Sequence, residues 1–162
     1  MMSTTTGYHF LYPAALFASK NPYMVNTILG SCVAVCLYDP SLKIGGINHF
    51  MLPFWNGQGL PTPKYGNIAI EKLIDKMEIL GSKRYNLIAK VFGGGEVIDN
   101  QSTHFNIGER NIRLALSSLE EYKIPIISSS LGGKTGRKIQ FNTSTGEVKQ
   151  KLIAKIESQK PA

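Results

Sequence analysis

Apolar positions change their spacing several times along the chain, and each change marks a boundary between elements. Cys32-Val-Ala-Val-Cys-Leu-Tyr38 is an unbroken apolar run closed by Asp39-Pro40, the pattern of a buried strand ended by a turn. Lys43-Ile-Gly-Gly-Ile-Asn-His-Phe-Met-Leu52 reads as its partner strand, with a glycine pair that permits a bulge or a close backbone approach. The spacing then turns helical. Ile70, Leu73, Ile74, Met77 and Leu80 follow a three-and-four rhythm, with Asn67 as N-cap and Gly81 as stop. Ile112, Ala115, Leu116 and Leu119 repeat it between Gly108 and Tyr122. A strand-like run follows each helix: Asn86-Leu-Ile-Ala-Lys-Val-Phe92, then Ile124-Pro-Ile-Ile-Ser128. In the tail, Arg137–Asn142 and Glu147–Ile153 flank Thr143-Ser-Thr-Gly146 like a hairpin. Strands outnumber helices, which predicts an α/β or α+β sandwich with two main helices. No repeat, low-complexity tract or Pro- or Ser-rich linker divides residues 1–162, so one domain is expected, with loose ends at Met1–Gly7 and about Glu157–Ala162.

Composition narrows the class. A chain of 162 residues with 43% hydrophobic and 18% charged residues is long enough for a proper core and is not disordered. No run approaches the roughly 20 apolar residues that cross a bilayer, and Met1–Lys20 lacks the basic and apolar regions of a signal peptide. A soluble, cytoplasmic protein without membrane insertion is expected. Two cysteines are too few for a disulfide scaffold or a four-thiolate zinc site. The net charge of +7 favours an acidic partner without saying which kind. The basic residues are scattered, densest at Lys134–Lys138 and Lys149–Lys160, as on an ordinary solvated surface.

Candidate chemistry centres on Cys32 and His49. Cys32 follows Gly30-Ser31 at the start of a strand, so a tight turn can present its sulfur near the surface. A thiolate attacks carbonyl carbon well but is a minority species at neutral pH unless a neighbour lowers the thiol's pKa. If the two strands pair about Asp39-Pro40, His49 converges on Cys32. Against this stand the ordinary alternatives: a small core cysteine, and a histidine on the surface or satisfied in the core. Cys36 lies about 13 Å further along an extended strand, too far to bridge to Cys32 or share a metal ion with it, and reads as packing. Gly133-Lys134-Thr135 resembles the end of a phosphate-binding loop, but Ser128 stands where the earlier glycine belongs and a strand follows. Gly93-Gly94-Gly95 lacks dinucleotide spacing and reads as an unusual backbone path beside a site, or as a loop. His9 and His104 sit outside any ligand-spaced motif. Glu71, Glu109, Glu120 and Glu121 read as charges on helix surfaces.

Thr27-Ile-Leu-Gly-Ser-Cys-Val-Ala-Val-Cys-Leu-Tyr-Asp39 resembles CheD, the chemoreceptor glutamine deamidase family of bacterial chemotaxis. The resemblance continues through Gly45–Pro53, Tyr65–Glu71, Ala89–Gly95, Ile107-Gly-Glu-Arg-Asn111, Gly132–Arg137 and Phe141–Val148. It implies conversion of receptor glutamines to glutamate, with Cys32 as nucleophile, His49 as base and Thr27 as third member. Asn26 is the neighbouring position, since that spacing differs by one residue among relatives. Gly30, Ser31 and Asn48 become candidates for shaping the site or holding an oxyanion. The implied fold is a layered α/β/β sandwich similar to the catalytic domain of cytotoxic necrotizing factors, and the implied reaction needs no metal or cofactor. Chemoreceptor cytoplasmic helices are the implied substrate, and the basic surface would steer toward acidic helices. A CheC-type phosphatase is a further implied partner, and a regulatory module that binds and stimulates CheC without deamidation is the alternative. No interleaved basic and aromatic motif supports nucleic-acid binding.

Overall fold

The computed structural model describes residues 5–96 and 106–153. The strands are β1 (Gly7–Phe10), β2 (Leu16–Ser19), β3 (Tyr23–Leu29), β4 (Val33–Asp39), β5 (Ile44–Asn48), β6 (Ile88–Gly93), β7 (Ile126–Leu131), β8 (Gly136–Asn142) and β9 (Val148–Ile153). The helices are α1 (Gly66–Ile79) and α2 (Ile107–Glu121), with a 3-10 turn at Arg84–Asn86. One sheet has four strands in the order β1-β3-β8-β9, the other five in the order β2-β5-β4-β6-β7. The pairs β1/β3 and β6/β7 are parallel and the rest antiparallel.

Strand alternation builds three layers from these elements. Val33, Val35 and Leu37 of β4 point to one side and pack with Ile70, Leu73, Ile74 and Met77 of α1 and Leu114, Ala115 and Leu119 of α2. Ala34 and Cys36 point to the other side and pack with Val25, Leu29, Ile139 and Phe141 of the four-stranded sheet. Helices, five-stranded sheet and four-stranded sheet therefore stack as an α/β/β sandwich, the architecture expected. The central strand is buried on both faces, which is why β4 reads as a continuous apolar run.

The glycine pair in β5 meets both neighbouring layers. A Cβ on Gly45 would stand 2.6 Å from the Thr143 carbonyl oxygen, and one on Gly46 would stand 2.9 Å from Leu73 Cδ1. Gly81 stops α1 with φ of +113°, as expected, and Ser82 N–H returns to the Met77 carbonyl at 3.0 Å.

Some local expectations shift. Asn67 is not the N-cap of α1. The cap is Tyr65, and Asn67 lies inside the first turn, where its side chain accepts the Trp55 N–H at 3.0 Å. The buried stripe of α2 is Gly108, Asn111, Leu114, Ala115 and Leu119, while Leu116 of the expected rhythm is exposed. Gly7 is not loose, because β1 begins there against Tyr23. The expected loose tail 157–162 and His104 lie outside the described residues.

Candidate active site

Gly30-Ser31-Cys32 is the stretch where the chain crosses from β3 in one sheet to β4 in the other. All three carbonyls of the crossing are held. Gly95 N–H donates to Gly30 at 2.9 Å and Gly94 N–H to Cys32 at 2.8 Å, and the Asn111 side-chain amide donates to Ser31 at 3.0 Å. The glycine run can come this close because Gly93 and Gly94 have φ of +111° and +75°, and because a Cβ on Gly93 would run into the Cys32 carbonyl. Among the described residues, the N–H groups of Ser31 and Cys32 bond to no other residue.

His49 follows the point where the β4/β5 ladder opens. Val35 N–H donates to the Asn48 side-chain oxygen at 2.9 Å instead of to a backbone carbonyl. Pairing resumes at Val33 and Phe50. The His49 backbone is pinned from the other flank: its N–H donates to the Ala15 carbonyl at 3.2 Å and its carbonyl accepts the Ala14 N–H at 2.8 Å. Phe50 faces the helices, so the preceding His49 turns toward the four-stranded sheet, where Thr27 stands. Thr27 Oγ1 is 2.7 Å from His49 Nδ1 and, in the same arrangement, donates to the Leu11 carbonyl at 2.7 Å.

This fixes the imidazole tautomer. The hydroxyl has one proton and the carbonyl none, so the Thr27 proton goes to Leu11 and His49 Nδ1 carries the proton it shares with Thr27. Nε2 keeps its lone pair and has no hydrogen-bond partner among the described residues. Cys32 and His49 are diagonal neighbours across the Val33–Phe50 bridge, a placement that puts Cβ atoms about 7 Å apart, and no hydrogen bond joins them. Asn26 sits on the opposite face of β3, where its side-chain oxygen accepts from Gln140 at 3.3 Å.

A family described as "CheD chemotactic sensory transduction" matches residues 51–152. The chain is 50% identical over 140 residues to the probable chemoreceptor glutamine deamidase CheD of Trichlorobacter lovleyi, covering 86% of this chain and 87% of the relative. It is 46% identical over 149 residues to the protein of the same description from Sulfurimonas denitrificans, covering 91% and 96%. A third relative, the probable chemoreceptor glutamine deamidase CheD 1 of Shewanella oneidensis, is 45% identical over 150 residues, covering 90% and 72%. The chain belongs to the CheD family. The family match itself begins just after His49, so the geometry of Thr27, Cys32 and His49 is an observation separate from it.

In this CheD chain burial sets the resting protonation of the pair. Burial raises the Cys32 thiol above its ordinary value, and its own backbone N–H offsets part of that rise. Burial lowers His49 to about 4. Both shifts favour a thiol and a neutral imidazole at neutral pH over a thiolate–imidazolium ion pair. Unfolded His49 takes up a proton near pH 6.5 and the folded one only near 4, so its contribution is complete above pH 6.5 and is lost as pH falls toward 4. The loss is on the order of 3 kcal/mol. Thermal unfolding followed from pH 7 to pH 4.5 is expected to show a steep drop in Tm that is absent in His49→Gln.

Of the remaining sequence candidates, Gly30 and Ser31 form the crossing. Asn48 fills the opened ladder, its Oδ1 on Val35 and its Nδ2 without a partner among the described residues. Sequence reasoning assigned Asn111 nothing. It lies in the resembling stretch Ile107–Asn111, but a polar residue on a helix gives no sign of facing inward. The one available signal was its place four residues before Ala115, on the buried stripe.

Proposed function

We propose that this protein deamidates glutamine side chains of chemoreceptors to glutamate through a covalent Cys32 thioester, as part of chemotactic adaptation. The observation that carries the reading is the contact of His49 Nδ1 with Thr27 Oγ1, whose own proton goes to Leu11: it assigns the ring proton to Nδ1 and leaves Nε2, without a partner among the described residues, to face the side where Cys32 lies. The substrate class comes from the relatives, described as chemoreceptor glutamine deamidases.

In the proposed sequence, Nε2 takes the thiol proton as sulfur attacks the carboxamide carbon, since the two groups rest neutral. The carbonyl oxygen gains negative charge and is met by the free N–H groups of Ser31 and Cys32. The tetrahedral centre collapses, the C–N bond breaks, and the imidazolium proton leaves with the nitrogen as ammonia. Water, deprotonated by the same Nε2, then attacks the thioester, the C–S bond breaks, and the thiolate recovers its proton. The balance is glutamine plus water to glutamate plus ammonia. Thr27 holds the tautomer throughout, as the third member of a hydrolase triad does.

The test is incubation of the protein with cytoplasmic fragments of chemoreceptors, with ammonia release and peptide mass spectrometry as readouts. Defined glutamines should gain about one dalton with stoichiometric ammonia. Fragments left unchanged by protein that still binds and stimulates a CheC-type phosphatase would overturn the reading in favour of the regulatory module.

A further inference from the structure

We infer that Asn111 is a positioning residue that aims the Cys32 N–H into the site. The inference rests on the proposed site, with Cys32 as nucleophile and its N–H as an oxyanion donor, but not on which substrate that site takes. The peptide unit is planar. The Ser31–Cys32 bond is trans, so the Ser31 C=O and the Cys32 N–H belong to one rigid plane and point in opposite directions. Whatever holds the carbonyl fixes the N–H. Asn111 Nδ2 donates to that carbonyl at 3.0 Å and, with its second proton, to the Met51 carbonyl at 3.0 Å. Among the described residues nothing else donates to either oxygen.

The placement is specific. Ser31 lies just before the Val33–Phe50 bridge on one strand and Met51 just after it on the other. One amide therefore closes the open end of the ladder and ties the cysteine segment to the histidine segment. Two carbonyl acceptors also settle which end of the amide faces them, because only the NH2 group can satisfy both. Asn111 is fully buried on α2. The helix lies close enough to hold it there because a Cβ on Gly108, on the same stripe, would strike the Gly94 carbonyl. Gly95 acts on the preceding peptide in the same way: its bond to the Gly30 carbonyl turns the Ser31 N–H to the opposite side. Two helix and loop contacts thus orient two donors without touching substrate.

Two reactions of the Cys32 sulfur separate this role from a merely structural one. Acylation by p-nitrophenyl acetate passes through a tetrahedral oxyanion, whereas alkylation by iodoacetamide displaces iodide and forms none. Asn111→Ala and Asn111→Ser would be compared with the unaltered protein, with Cys32→Ala giving the background. Asn111→Ala should slow acylation by on the order of 10–100-fold, somewhat less than deleting a donor outright, and leave alkylation unchanged. The serine hydroxyl should restore part of the loss. Equal loss in both reactions, or acylation at the unaltered rate, would overturn the inference. If the alanine protein does not fold, the serine protein carries the same comparison. A protein that shows this split yet leaves receptor glutamines untouched would sink the substrate reading and keep the positioning role.

Discussion

Cys32→Ala is expected to abolish glutamine conversion, while Cys36→Ala is expected to leave its rate unchanged. The two sulfurs belong to adjoining parts of one extended segment and face the same inter-sheet side, so composition and periodicity treat them alike. Their surroundings do not. Cys36 is 1% exposed, in the middle of β4, and burial pushes its thiol well above the ordinary range. It can neither meet a substrate nor ionise, and removing its sulfur should cost only stability, about 1 kcal/mol. Cys32 precedes the strand, is partly exposed, and stands at a turn whose N–H groups bond to no other described residue. In the proposed mechanism its loss leaves no thioester to form and no nucleophile for the donors to assist. Ammonia release for the two variants, read beside their melting temperatures, checks both halves. Conversion persisting in Cys32→Ala would end the covalent mechanism.

The same variants carry a pH signature. Iodoacetamide should label Cys32 alone. Its rate should climb about tenfold per pH unit from 7 toward the raised thiol value, as the thiolate fraction grows. A preformed ion pair would instead give a plateau beginning at acid pH. Labelling already at its maximum at pH 6 would contradict the neutral resting pair.

The hydrophobic pattern revealed most of the five-stranded sheet, both helices and the final hairpin, because those elements bury continuous or periodic apolar surface. It did not reveal β1, β2 or β3. Those strands are short or half-exposed, as the mixed burial of Gly7–Phe10 and Leu16–Ser19 shows, so little in Tyr8–Leu29 alternates cleanly. That gap hid how Thr27 could reach His49. The two residues meet between sheets, a relation that spacing within one strand cannot express. The glycine run was legible as an odd backbone path, but its partner was not: only the fold shows that Gly94 and Gly95 bind the carbonyls of Cys32 and Gly30. Asn111 is the extreme case, an amide on a helix whose acceptors are two main-chain oxygens far away in sequence.

Thr27→Val tests the part of the site that depends most on that inter-sheet meeting. Valine keeps the shape of threonine and removes the hydroxyl, so the core between the sheets should stay packed. Two buried groups lose their partner: the Leu11 carbonyl loses a donor and His49 Nδ1–H loses its acceptor. The stability cost should be about 1–3 kcal/mol. The kinetic cost should be larger in relative terms. With nothing to hold the proton on Nδ1, the imidazole can place it on Nε2, where it blocks acceptance of the Cys32 proton. The rate should fall by about 100-fold or more, as when a triad histidine loses its orienting partner. Thr27→Ser, which keeps the oxygen, should retain most of it. Nitrogen-15 spectra of the His49 ring give a readout that packing alone would not move: Nδ1 protonated in the unaltered and serine proteins, and a mixture of tautomers in the valine protein. A valine variant with an unaltered rate and an unchanged tautomer would show that the Thr27 hydroxyl serves the Leu11 carbonyl and not the histidine.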